Sequence, residues 1–228
     1  MNIQGFQKLT LLDFPGRTAC TVFTGGCNLR CPFCHNGPLV RTPMEHPNAY
    51  AEVLDYLEKR QGILDGICVT GGEPLLQPDL KEFLRQVRRW GYAVKLDTNG
   101  SLPERLEDIL RSGLVDYVAM DVKSSPGGYA KAVGTEVDVA VYERSIHILR
   151  DSGLPYELRT TAVGGLHTPE DFMAIGQWLA GEPSYFIQKF VDSGQLLGEG
   201  YTAFSYEEME HLLAIVREYI PSAQLRGQ

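Results

Sequence analysis

A strand-helix alternation repeats six times along these 228 residues, and it limits the architectures open to the chain. Residues 17–23, 66–70, 92–97, 115–120, 156–162 and 184–190 are short runs rich in β-branched and aromatic side chains, bounded by Gly or Pro, and they read as strands. Residues 48–60, 78–90, 103–111, 139–151, 169–180 and 205–219 read as helices. Leu80, Phe83, Leu84 and Val87 share one face of the second helix, and Met209, Leu212, Leu213 and Val216 repeat the pattern in the last. Alternating units of this length imply an α/β fold, with a parallel sheet and helices outside it. A closed barrel of this kind has eight units in about 250 residues. Six units predict an incomplete, TIM-like (βα)6 barrel over residues 17–220. It belongs to a single domain of residues 1–228, whose residues 1–16 form a flap or short hairpin.

In parallel β/α folds the chemistry gathers at the carboxyl ends of the strands. Cys27, Cys31 and Cys34 follow the first strand, and Gly71-Gly72-Glu73-Pro74 follows the second. Asp97-Thr98-Asn99-Gly100 ends the third, Asp121 and Lys123 end the fourth, and Arg159 and Gln188 lie in the fifth and sixth. The cysteines, spaced C-x3-C-x2-C, are the most specific of these signals. Three thiolates cannot fill four metal positions. On a four-iron cluster they leave one iron open to a bound small molecule. Gly25 and Gly26 ease the turn into the loop. The alternative is a zinc site of Cys27, Cys31, Cys34 and His35. Adjacent Cys34 and His35 reach one metal together only awkwardly, and the second C-x2-C pair usual in zinc sites is absent from the sequence. Cys20 and Cys68 fall inside strands and read as small buried hydrophobes, so one cluster per chain is expected.

The cysteine motif, the aromatic Phe33 before its last cysteine, and G-G-E-P after the second strand resemble the radical S-adenosylmethionine enzymes. Motifs and strand order together span nearly the whole chain. The resemblance implies a [4Fe-4S] cluster on Cys27, Cys31 and Cys34, whose open iron takes the amino and carboxylate groups of S-adenosylmethionine. One-electron reduction of the sulfonium then yields a 5′-deoxyadenosyl radical. Carried onto this chain, the resemblance puts Phe33 at the adenine and Gly71, Gly72, Glu73 and Pro74 at the methionine moiety, with Glu73 accepting from the ammonium. It puts Asp97 near the ribose, Asn99 among the cofactor-binding residues and Lys123 at the methionine carboxylate. A monovalent cation is implied at Asp97, Thr98, the Ala119 carbonyl and Asp121. Where related proteins carry a histidine contact after the sixth strand, this sequence has Gln188. Plainer readings stand beside these: Phe33 in the core, G-G-E-P as a tight turn, Lys123 paired with Asp121, and Arg159 in a barrel salt bridge instead of a fork on substrate or cofactor.

The stretches L-L-D-F-P-G-R and C-P-F-C-H-N-G resemble, more narrowly, glycyl-radical-enzyme activating proteins. The nearest are those of anaerobic ribonucleoside-triphosphate reductase, followed by those of pyruvate formate-lyase. This implies a protein substrate, a glycyl radical enzyme whose C-terminal glycine loop loses an α-hydrogen, and a flavodoxin or ferredoxin as electron donor. Asp13, His35 and Arg159 become candidates for contact with the substrate protein. A turn role for Asp13 and a hydrogen bond to the cluster for His35 are the alternatives. Two other classes compete: a small-molecule radical enzyme of the deazaguanine-synthase type, and a metal-binding structural or sensor protein without catalysis.

Net charge is −8, against the basic footprint of broad nucleic-acid binding. The basic run at residues 85–89 reads as a solvated helix face. No stretch approaches the roughly eighteen apolar residues of a membrane span, and the N-terminus has no secretory pattern. The expected setting is a reducing, anaerobic cytoplasm, where cysteines bind metal more often than they form disulfides.

Overall fold

The structure, a computed structural model, describes residues 1–41, 46 and 49–227. In chain order its elements are β1 (Ile3–Thr10), β2 (Ala19–Thr24), α1 (Gly37–Arg41), α2 (Ala49–Lys59), β3 (Gly66–Gly71), α3 (Leu80–Arg89), β4 (Ala93–Thr98), α4 (Pro103–Arg111), β5 (Tyr117–Asp121), α5 (Tyr129–Val133), α6 (Val139–Asp151), β6 (Tyr156–Ala162), α7 (Pro169–Trp178), β7 (Tyr185–Lys189), α8 (Tyr206–Arg217) and β8 (Gln224–Arg226). Strand order follows chain order from β1 to β8 in an α/β fold whose sheet is mostly parallel. Each strand and helix expected from the sequence is present, with ends displaced by no more than two residues. Asn48, the expected start of the first helix, lies outside the described residues. The N-terminal flap is a strand of the sheet, β1, antiparallel to β2. α1, α5 and β8 are too short to show a period in sequence.

The chain forms two compact units. The first comprises residues 1–28, 38–119 and 141–155. Its strands β2, β3 and β4 pair in parallel, with Val22, Val69 and Leu96 in register. Each of these strands is buried through its first four residues, so the sequence runs nearly continuously apolar instead of alternating. α3 buries Leu80, Phe83, Leu84 and Val87, the stripe its 3.6-residue period sets. Pro103 opens α4, where a missing N–H costs nothing.

The second unit comprises residues 29–37, 120–140 and 156–228. Here β6, β7 and β8 pair in parallel. Leu158, Thr160 and Ala162 alternate with Glu157, Arg159 and Thr161 along β6, so one side of this sheet is apolar and the other carries charge. α7 and α8 pack together. Each begins with a reciprocal capping box, Thr168 with Asp171 and Ser205 with Glu208. Among the described residues, no helix is long and apolar enough to cross a membrane.

The Ser205 cap gives a direct stability test. Ser205→Ala removes the hydroxyl that accepts from the Glu208 N–H. It should cost about 1 kcal/mol and lower Tm by about 2–4 °C in a calorimetric scan.

Candidate active site

In the first unit the geometry is built around a buried carboxylate. Gly71 has φ of +120°, and a Cβ there would lie 2.2 Å from the Thr24 nitrogen. A Cβ on Gly72 would lie 1.9 Å from the Gly26 carbonyl oxygen. The two glycines therefore let the end of β3 lie against the backbone leading into Cys27, with Gly72 N donating to Thr24 O and Glu73 N to Gly26 O, both at 2.8 Å. Glu73 follows, fully buried. Its Oε1 accepts from Leu75 N at 3.0 Å and from Thr98 Oγ1 at 2.8 Å. Its Oε2 accepts from Asn99 N at 2.7 Å. Glu73 is expected at the methionine ammonium; here both oxygens serve the chain and join the end of β3 to the end of β4. Pro74 opens the short 3-10 turn that Glu73 caps.

This clamp fixes Asn99. Its Nδ2 donates toward Cys27 Sγ at 3.7 Å and to Asn28 Oδ1 at 3.1 Å, while its Oδ1 accepts from Ser101 N at 2.9 Å. An amide donor on a thiolate sulfur is one of the protein's levers on cluster potential.

Below the clamp in β4, Lys95 is buried and its ammonium pairs with Asp97. Lys95 Nζ also lies 3.9 Å from the sulfur of Cys68, its register neighbour on β3. Asp97, expected at the ribose and at a cation, thus has an internal cation already beside it. A lysine inside the run A-V-K-L was the signal for this pair. Cys20 and Cys68 are fully buried, as expected, and burial pushes the Cys20 thiol up to about 12. Ala119 is buried within β5. Asp13 precedes β2 and accepts from Thr21 Oγ1 of that strand.

In the second unit, Cys31 is buried and Cys34 half-buried, with Cys34 N donating to Cys31 O at 3.0 Å. The Lys123 ammonium donates to Asp121 Oδ2 at 2.9 Å. Burial alone would depress the Lys123 pKa, but Asp121, and after it the thiols of Cys31 and Cys34, hold it above the usual lysine range. Burial also acts to raise Asp121, and Arg159 and Lys123 overcome it, holding this carboxyl well below the usual range. Arg159 contributes Nε at 3.0 Å and Nη2 at 2.9 Å to Asp121 Oδ1. The ion-pair alternatives for Lys123 and Arg159 are therefore both present.

Phe33 is buried, and the His167 ring meets it edge-on at 6.3 Å between centroids. His167 is a residue the sequence does not single out. Val163 N donates to its Nδ1 at 3.1 Å, so the ring proton sits on Nε2 and is donated to Lys123 O at 2.9 Å. Neutral His167 thus ties the Phe33 environment to the Lys123 backbone. Gln188 is half-buried in β7, in register with Thr161 and Arg226. His35 is exposed, its Nδ1 3.4 Å from Val191 O and its own carbonyl accepting from Ser193 Oγ at 3.1 Å.

Among the described residues, no three His, Cys, Asp or Glu side chains gather as ligands for a single metal ion. The sequence supplies three thiols in one short loop, the donor type an iron-sulfur cluster takes, and Cys27 has an amide donor on its sulfur.

Residues 21–179 match the model of the radical SAM superfamily. A protein of Methanocaldococcus jannaschii, provisionally named a glycyl-radical enzyme activating enzyme, is 30% identical over 98% of this chain and 95% of its own length. The pyruvate formate-lyase-activating enzyme of Listeria monocytogenes is 28% identical over 80% of this chain and 77% of its own. In the crystal structure of Streptococcus suis SuiB bound to S-adenosylmethionine, 48% of that chain superposes on 89% of this one, with a TM-score of 0.68 at 13% identity.

Two outcomes test the geometry. Lys95→Met removes the ammonium beside buried Asp97 and should cost about 3–5 kcal/mol in urea unfolding, much of it regained in Lys95→Met/Asp97→Asn. Burial lowers the His167 pKa from its ordinary value of 6.5. The unfolded chain then binds the proton more readily, so His167 contributes stability that is complete above about pH 6.5 and is lost as pH falls through the lower folded value. His167→Gln should flatten that part of the stability-pH curve.

Proposed function

The chain belongs to the radical SAM superfamily, and from that premise we propose that it activates a glycyl radical enzyme, with anaerobic ribonucleoside-triphosphate reductase as partner. Family membership makes it an enzyme and implies a [4Fe-4S] cluster and S-adenosylmethionine. The observation that carries the proposal is the similarity along 98% of the chain to the Methanocaldococcus jannaschii protein. The L-L-D-F-P-G-R and C-P-F-C-H-N-G stretches favour the reductase over formate-lyase.

Cys27, Cys31 and Cys34 would hold the cluster. When bound and reduced, it supplies one electron to the sulfonium, giving methionine and, once a glycine α-hydrogen has been taken, 5′-deoxyadenosine. The chain's own residues prepare that chemistry. Asn99 donates to the Cys27 sulfur and favours the reduced charge state. Lys123 offsets the thiolate charge of Cys31 and Cys34 and would meet the methionine carboxylate. Phe33, Gly71, Gly72 and Pro74 shape the binding surface, and Glu73 acts by holding Asn99 and the 3-10 turn in place. Gln188 and Arg159 supply polar contacts, and His35, exposed beside the cysteines, faces the partner. The carboxylates of Asp97 and Asp121 already hold Lys95, Lys123 and Arg159, so no monovalent cation is part of this proposal. A low-potential flavodoxin or ferredoxin supplies the electron.

The test is electron paramagnetic resonance of the reconstituted protein mixed anaerobically with candidate glycyl enzymes, S-adenosylmethionine and reductant. A glycine-centred doublet is expected with the nucleotide reductase and not with formate-lyase, and Cys31→Ala should abolish it. Formation of 5′-deoxyadenosine without a doublet on any glycyl enzyme would contradict protein activation.

A further inference from the structure

The charged side of β6 carries a row of ion pairs that extends beyond the rim residues. Glu157 has no exposed side-chain surface, and Arg226 of β8 grips it with two bonds, Nη1 to Oε1 at 2.7 Å and Nη2 to Oε2 at 2.8 Å. The Arg226 guanidinium lies 3.7 Å from the Phe186 ring centroid, so it crosses β7 flat against an aromatic face. Arg159, two residues beyond Glu157 on the same side of β6, has its Nη1 3.9 Å from the same Oε1. That is an ion-pair distance and too long for a hydrogen bond. Its Nε and Nη2 are on Asp121, and Asp121 holds Lys123. The order is Lys123, Asp121, Arg159, Glu157, Arg226, with charge alternating at every step.

A fully buried carboxylate demands cationic partners, and removing one leaves a large uncompensated cost. With Arg226 in place both Glu157 oxygens are met and Arg159 stays on Asp121. Arg159 is a cation already at ion-pair distance from Glu157, and a shift of about 1 Å would turn its 3.9 Å contact into a bond. Arg159 would then be shared between Glu157 and Asp121, and Asp121 holds Lys123.

We propose that Arg226 is a positioning residue: by satisfying Glu157 it keeps Arg159 committed to Asp121, and so holds Asp121 and Lys123 in the arrangement that receives the carboxylate end of S-adenosylmethionine. This rests on the reading that the cofactor binds beside Lys123. The two extra members of the row come from positions 69 residues apart.

The experiment uses the full chain with its cluster reconstituted, in Arg226→Met, Arg226→Met/Glu157→Gln and Arg226→Lys. It reads two quantities: the Kd for S-adenosylmethionine by calorimetry without reductant, and the 15N resonance of Arg159 Nε. Arg226→Met should raise Kd about tenfold and displace the Arg159 resonance. The double variant, which no longer needs a second cation at position 157, should return both close to the unaltered protein, with Kd within about twofold. A strand-holding role alone would give no such rescue. The proposal is overturned if Arg226→Met leaves both quantities unmoved, or if the double variant is displaced as far as the single. Should Arg226→Met fail to fold, Arg226→Lys decides: it keeps a cation without the bidentate fork, so a smaller displacement in the same direction supports the proposal and none overturns it. The Arg159 resonance needs neither turnover nor a glycyl partner, so it answers even if the activase reading fails.

Discussion

The carboxylate of Glu73 is the interaction on which the strand ends of the first unit depend. A buried carboxylate is costly unless several donors meet it. Leu75 N, Thr98 Oγ1 and Asn99 N all do so. The consequence is geometric: two strand ends that share no sequence neighbourhood become one rigid shelf. Gly71 and Gly72 make the shelf possible, because only residues without a Cβ allow the backbone to lie so close to Thr24 and Gly26. Asn99 then reaches Cys27 from a backbone that is itself anchored. Local chemistry at the Cys27 sulfur thus depends, through Asn99, on the Glu73 carboxylate.

Charge around the remaining rim residues follows one rule, that each carboxylate is matched by a cation of the chain. Asp97 has Lys95, Asp121 has Lys123 and Arg159, and Glu157 has Arg226. Such pairs are poor sources of net stability, since desolvation offsets attraction. Their value is in holding charge at fixed positions before a ligand arrives, the condition under which electrostatics assists chemistry most. Lys123 shows the effect: three negative or ionisable neighbours keep it protonated despite burial.

The architecture was legible because its signals are periodic. Leu80, Phe83, Leu84 and Val87 announce α3, and apolar runs ended by G-G-E-P or D-T-N-G announce strands with polar ends. The cysteine spacing was legible because three residues within eight positions carry it. What sequence hid depends on register and distance along the chain. Glu157 and Arg226 meet only because β8 pairs beside β7, and β8 is three residues long. Lys95 is a single charge in an apolar strand: alternation puts it on the same side as Asp97, but nothing local says that this side is buried. The three donors on Glu73 were hidden because they are backbone and hydroxyl groups that sequence patterns do not display. His167 becomes informative only when Val163 and Lys123 are seen on its two ring nitrogens.

We propose that the loop of Cys27, Cys31 and Cys34 holds a four-iron cluster with one iron left for S-adenosylmethionine. Mössbauer spectroscopy of the anaerobically reconstituted, isotope-enriched protein tests it most directly. Addition of S-adenosylmethionine should set one iron of four apart, with a larger isomer shift than its neighbours, because its coordination expands to nitrogen and oxygen donors. Four irons that stay equivalent on saturation with S-adenosylmethionine, or a protein that takes up zinc and no iron, would contradict the account.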